Sequence, residues 1–331
     1  MRLRSVELSR YRVKLLPGTA PVTERHGALL FWHGDDDRSA VSEMAPLPGF
    51  SVESLDDCIT ACRSLFAAGA DAAGHLLQRA QAGADEALAT LPPAARFALE
   101  AGWMELSQPP HAVPLVDSCR LMGAEQSQLD GPIGSCVKVK VGRASLTADT
   151  DRLAGILERL PDSTRLRLDA NRSWTLEQAA SLCAALPAHR IEYIEEPLLA
   201  GSSYTDWTSR ILIPFAWDES LRERPELDVR TPGLGAVVLK PMLSGLNRTR
   251  AWIEAAERAG VAAVLSAAFE SNISLDFYAR LIADWKPSSV PGLDTFGAWP
   301  EALIRPLQSQ PGHEAKPVRP REHLIAEPAL L

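Results

Sequence analysis

Four polar residues stand at the ends of apolar runs: Asp169 after Arg165–Leu168, Glu195 after Ile191–Ile194, Asp218 after Ile213–Trp217 and Lys240 after Ala236–Leu239. Successive members are 26, 23 and 22 residues apart, each close to one strand plus one helix. If the runs are consecutive parallel strands, one rim receives acid, acid, acid and base. Three carboxylates converging in a low-dielectric pocket repel one another unless something neutralises them. A hard divalent cation with oxygen ligands does that, and Mg²⁺ keeps waters or substrate oxygens in its remaining octahedral positions. Upstream, Val137-Lys138-Val139-Lys140-Val141 sets two lysines two residues apart, so both point to one face of a strand. Their mutual repulsion is expected to lower the proton affinity of each, which makes a lysine a usable base near neutral pH. Lys240 would arrive from the far side. Such a set suits proton abstraction next to a carboxylate, with the metal stabilising the enediolate and a lysine taking the proton.

The elements that must position these groups fall into two textures. Residues 1 to about 108 open with strand-like stretches at Arg2–Val13, Ala28–His33 and Arg38–Met44. Leu55, Cys58, Ile59, Cys62, Leu65 and Phe66 then follow at helical spacing, and Ala-rich helical segments run on to about Leu106. This is an α+β unit. From about His111 the chain alternates short β-branched runs with helices. The expected strands are Cys136–Val141, the four runs named above, Ala262–Leu265 and, more weakly marked, Ser289–Pro291. Thr175 with Gln178 reads as a capping box, and Asn247 and Gly260 as the two ends of a helix over about Arg248–Ala259. Seven or eight strand–helix units imply a closed (β/α) barrel, whose C-terminal rim is where active sites sit. The tail Gln308–Leu331 is proline-rich and polar, and reads as a surface segment or one that wraps back on the first unit.

Each charged residue alone has a plainer reading. Asp169 before Asn171 suits an Asx turn, Glu195-Glu196-Pro197 a solvated strand end, Asp218 a helix cap and Lys138/Lys140 a charge-defended edge strand. Inward lysines and regular spacing together defeat that reading. Asp35-Asp36-Asp37 reads as a hairpin turn rather than a metal site. Gly233-Leu-Gly235 reads as a turn rather than a dinucleotide site, and His26, His33 and His111 as surface or loop residues. Most of the eight tryptophans are core candidates, with Trp174 weighed also as a neighbour of the site. The five cysteines form no CxxC pair and suggest neither a zinc knuckle nor a disulfide framework, which fits a reducing cytoplasm. A net charge of −8 argues against a polyanion partner, and no apolar run is long enough for a membrane span. The N-terminal stretch alternates charged and apolar residues and is read as a first strand, not a signal peptide.

Together KVKVG, LDANRSW, IEYIEEP, AWDESL, VVLKP and PGLDT resemble the enolase superfamily and, more narrowly, its o-succinylbenzoate synthase family of menaquinone biosynthesis. The stretch Glu43–Ser51 resembles that family's lid loop. The resemblance implies an α/β fold: an α+β capping domain with the lid loop over 1–108, a (β/α)₇β TIM-like barrel over 109–304, and a segment over 305–331 returning to the cap. It implies Mg²⁺, with Mn²⁺ as a substitute, held by Asp169, Glu195 and Asp218, and Glu196 behind them. Lys140 would take the α-proton of 2-succinyl-6-hydroxy-2,4-cyclohexadiene-1-carboxylate and return it to the departing hydroxide. Lys240 would stabilise the enediolate, and Lys138 would tune Lys140 and touch the carboxylate. Ser266 and Gly292 match positions that hold the succinyl carboxylate, and Arg167 a site-lining arginine. Two positions depart from the family pattern: Ser42 replaces a glycine before Glu43, and Ala267-Ala268 replace serines. The implied protein is a cytoplasmic dehydratase acting on a small carboxylate, without nucleic-acid or membrane partners, and a monomer or weak oligomer. An N-succinylamino acid racemase or cycloisomerase of the same superfamily would use the same lysines. A non-catalytic metal-binding barrel would have no need of unpaired inward lysines.

Overall fold

In the computed structural model, the residues described are 2–83, 86–108, 113–123, 133–224, 227–310 and 316–331. His111 and the expected boundary near 109 lie outside them. The first sheet is built from β1 (Leu3–Lys14), β2 (Glu24–Gly34) and β3 (Ser39–Met44), paired antiparallel in that order. β1 buries Leu3, Val6, Leu8, Tyr11 and Val13 and exposes charged residues between them. The three aspartates do lie in the turn between β2 and β3, where Asp37 takes φ 63° and Asp36 pairs with Arg38. The helix Leu55–Phe66 buries Cys58, Ile59, Cys62 and Phe66, the stripe its spacing predicts. Helix Pro93–Ser107 is buried along most of its length and meets the sheet at Gly102, where a Cβ would stand 2.1 Å from the Trp32 ring. The tail wraps back: Ile325–Ala326 pairs with β1, and the Leu330 N–H donates to the Val6 carbonyl at 2.9 Å.

The second sheet is parallel and its seven strands run in sequence order. They are β4 (Arg120–Met122), β5 (Cys136–Lys140), β6 (Arg165–Asp169), β7 (Ile191–Glu195), β8 (Phe215–Trp217), β9 (Leu234–Leu239) and β10 (Ala262–Leu265). An eighth stave at 290–293 closes the ring. The Gly292 N–H donates to the Leu265 carbonyl at 2.8 Å and the Gly292 carbonyl accepts from the Ala267 N–H at 3.0 Å, while the Pro291 carbonyl accepts from the Cys119 N–H at 2.8 Å on the other side. β4 is not anticipated by the sequence reading; three residues offer too little pattern.

Two local expectations change. Asn247 does not cap its helix, which runs Leu246–Ala259 from an N-cap at Gly245. The Glu100 carboxylate takes the Leu246 and Asn247 N–H groups instead, and the Asn247 amide reaches the Ala80 carbonyl at 3.0 Å. Cys119 and Cys136, on neighbouring staves with Cα atoms 4.6 Å apart, form a disulfide that the spacing did not suggest. Their 17-residue separation gives no sign that β4 and β5 are neighbours. Cys58, Cys62 and Cys183 are free and buried, and burial pushes the Cys62 and Cys183 thiols up to about 12.

Candidate active site

The valines of β5 are fully buried while Lys138 and Lys140 face the barrel's interior, as strand periodicity requires. Gly142 lets the chain turn away just beyond, with φ 76° and a Cβ position 1.8 Å from the Ser173 hydroxyl. Register then does the rest. Lys140 lies beside Asp169 and Asp169 beside Glu195 on adjacent staves. Lys138, Lys140, Asp169, Glu195, Asp218 and Lys240 all line one cavity.

The three carboxylates are each 3% exposed or less. Lys138 Nζ lies 2.7 Å from both Glu195 oxygens and 3.1 Å from Asp169, and Lys240 bonds Asp218. Lys140 is the least committed, 3.7 Å from Asp169 and 3.4 Å from the Asn171 side-chain oxygen. These contacts overturn the expected effect of lysine–lysine repulsion on Lys138. Burial works against its charge, but Asp169, Glu195 and Asp218 outweigh that and raise its pKa well above the usual lysine value. Lys240 is also raised, by Asp218 and Glu195 against its burial. Asp169 and Asp218 are buried, yet the lysines hold both below the ordinary aspartate range. Burial, with Asp169 and Asp218 nearby, pushes Glu195 up to about 8 in spite of Lys138.

Residues behind the rim complete it. Glu196, at φ 42°, accepts from the Asp218 and Ser220 N–H groups at 2.9 and 2.8 Å and from the Ser220 hydroxyl at 2.8 Å. Glu219 also lines the cavity, and burial beside Asp218 pushes it up to about 7. Its Oε2 is buried without a hydrogen-bond partner. Sequence reasoning passed over Asn171 and Glu219, although each sits within two positions of a strand-end acid. Among the described residues no three acidic, histidine or cysteine side chains yet gather around one point. The reason is visible: Lys138 spans two of the acids and Lys240 takes the third. An excess of buried acid with one orphaned oxygen is nevertheless the donor chemistry a hard cation fits.

Opposite the acids the wall is largely apolar: Leu47 and Phe50 of the lid stretch, Leu243, Ala267, Ala268 and Phe269. Ser266 and Gly292 line this side, with the serine hydroxyl donating to the Gly292 carbonyl at 3.1 Å. Arg167 lies on the floor, one layer beneath Asp169. Its guanidinium binds Glu192 at 2.8 Å, the Ser289 hydroxyl at 2.8 Å and the Val290 carbonyl at 2.8 Å, and lies 5.2 Å from the Tyr193 ring centre. Trp174 is buried in the core and does not line the cavity, and Gly233 turns at φ 87° against Trp207. His26 and His33 pair with Glu24 and Glu7 near the surface.

Comparison with known proteins gives three kinds of match. Residues 125–310 match the family model for enolase C-terminal domain-like proteins. The chain is 32% identical over 330 residues to an o-succinylbenzoate synthase of Pectobacterium atrosepticum, covering 93% of this chain and 98% of that one. It is 35% identical over 285 residues to the o-succinylbenzoate synthase of Klebsiella pneumoniae, covering 82% of this chain and 84% of that one. Among solved structures, o-succinylbenzoate synthase from Thermosynechococcus elongatus, complexed with Mg in its active site, superposes with a TM-score of 0.72 at 26% identity, covering 93% of this chain and 97% of that one.

Proposed function

The chain belongs to the o-succinylbenzoate synthases of the enolase superfamily, and from that premise we propose how its own residues carry out the dehydration. The substrate is 2-succinyl-6-hydroxy-2,4-cyclohexadiene-1-carboxylate and the products are 2-succinylbenzoate and water. Lys140 takes the ring proton next to the carboxylate, and the freed electron pair moves onto that carboxylate. As the pair returns to the ring, hydroxide leaves the neighbouring carbon and takes the same proton back from Lys140. The ring becomes aromatic and no oxidant is needed. Lys240 faces the developing charge as a cation from the opposite wall, and Lys138 tunes Lys140 and contacts the carboxylate. Asp169, Glu195 and Asp218 would hold Mg²⁺, with Mn²⁺ as a substitute, which supplies Lewis-acid stabilisation of the carboxylate's added charge. Lys138 and Lys240 must then release the acids they now neutralise.

Leu47, Phe50, Leu243 and Ala268 cover the ring, while Ser266 and Gly292 meet the succinyl carboxylate. Arg167 contributes charge from the floor, since its hydrogen-bonding face is taken by Glu192, Ser289 and Val290. In this reading residues 1–108 are the cap, 109–304 the catalytic barrel and 305–331 the returning segment. The enzyme works in the cytoplasm as a monomer or weak oligomer. No helix among the described residues is long and apolar enough to cross a membrane.

The observation that carries the reading is a pair of lysines from β5 and a third from the end of β9 on facing walls of one cavity, with three buried acids between them. Purified protein with Mg²⁺ should form 2-succinylbenzoate, chelation should abolish turnover, and Lys140→Ala should lower kcat by about 10³-fold or more. Metal-replete enzyme without turnover would sink it. Lysines on both faces also suit an N-succinylamino acid racemase or cycloisomerase, and α-carbon deuterium exchange in N-succinyl amino acids would favour the former.

A further inference from the structure

Between the first sheet and the barrel lies a buried charged cluster that the reaction leaves unused. Glu43 at the end of β3, Arg25 on β2 and Glu270 beyond β10 are all 1% exposed or less. Arg25 reaches two segments at once: its guanidinium donates to the Ala45 and Pro46 carbonyls at 2.7 and 2.8 Å and to the Phe269 carbonyl at 3.0 Å. Ala45 and Pro46 lead directly into the lid, whose Leu47 packs with Ala268 and Leu243. Glu270 shapes the barrel side, accepting from the Ala268 N–H and from the Tyr278 hydroxyl at 2.9 Å. Between those two bonds Phe269 is held at φ 60°, a conformation that a bulky side chain keeps only when its surroundings impose it. Glu43 anchors the following helix, Asn272–Trp285, by accepting from the Ser271 N–H and hydroxyl at 3.0 and 2.8 Å and the Ser274 N–H at 3.3 Å.

None of these three charged residues lines the cavity, but Ala268 and Phe269, held by Glu270 and Arg25, do, and the Ala45 and Pro46 carbonyls held by Arg25 lead straight to Leu47, which does. Ser266, Ala267, Ala268 and Phe269 form the wall facing the acids, and Leu47 and Phe50 lie over it. We propose that Arg25 and Glu270 are positioning residues that join the lid and the 266–269 loop into one unit, and so set how tightly the substrate's distal, carboxylate-bearing arm is gripped. This rests on the functional reading above, which places the succinyl arm at Ser266 and Gly292. Losing Glu270 strands the Ala268 N–H in the interior and frees Phe269 to leave its left-handed conformation. Losing Arg25 leaves the Ala45 and Pro46 carbonyls unpaired and the Phe269 carbonyl with the Trp299 indole N–H alone, and lets lid and loop part. The lysines and acids sit on β5 to β9 and keep their places in either case.

The test separates arm from ring. Wild type, Glu270→Leu, Arg25→Met and Arg25→Lys are compared for turnover and, with Mg²⁺ present, for binding of 2-succinylbenzoate and of benzoate, which lacks the arm. The expected result is a KM raised about tenfold with kcat within about threefold, and 2-succinylbenzoate affinity lowered about tenfold with benzoate affinity unchanged. Arg25→Lys should not rescue, because a point charge cannot span three carbonyls. Should these variants fail to fold, Tyr278→Phe removes one hydroxyl from Glu270 and should still lower 2-succinylbenzoate binding about threefold while sparing benzoate. Equal losses for both ligands, or no loss for either, would overturn the proposal. A wild-type enzyme with no turnover would instead bring down the functional reading, and arm-selective binding would remain measurable.

Discussion

Glu196 shows how much of a reactive rim is set by a residue that never enters the cavity. Its two oxygens take the Asp218 and Ser220 N–H groups, the Ser220 hydroxyl and the Arg172 guanidinium, so Asp218 cannot turn without breaking that set. Glu196→Gln replaces one acceptor oxygen with a donor facing Ser220 or Arg172, a change that costs about 1–3 kcal/mol at a buried site. The expected outcome is an Mg²⁺ requirement raised about tenfold, with turnover recovered at high Mg²⁺, read by titrating activity against the metal. Asp169, Glu195, Asp218, Lys240 and the two β5 lysines were legible in the sequence because each ends or lines a strand at a regular interval. The Arg25–Glu43–Glu270 cluster was not. Arg25 and Glu43 reach partners at Phe269 and Ser271 more than 200 residues away and share no period with them, so only the folded chain brings them together.

Elements transmit position from the sequence wherever the signal is local. The capping box at Thr175 and Gln178 forms as read, and Gly260 ends its helix in the left-handed conformation. Asn247 fails as a cap because a carboxylate from helix Pro93–Ser107, far away in the chain, supplies the acceptor first. The end of β5 is the most exacting element. Gly142→Ala would add a Cβ at positive φ and against Ser173, with an expected cost of about 1–3 kcal/mol. A melting midpoint lowered by several degrees, together with a fall in kcat as Lys140 shifts, is the outcome that thermal unfolding and kinetics should show.

At the scale of the molecule, the rhythm of strand and helix was enough to predict a barrel, because parallel pairing needs a crossover at each step. The closing stave was only faintly legible, and it is the least regular of the ring. Its backbone holds on through the bonds at Pro291 and Gly292, whereas β5 and β6 share five register pairs. What steadies it is Arg167, which crosses the bore from β6 to grip Ser289 and Val290. That side chain works as a spoke in a hoop. Cutting it with Arg167→Met should speed amide hydrogen exchange at 290–293 well before the other strands loosen. Breathing would then begin at the slat that carries Gly292, leaving the acid-lined arc of the hoop rigid.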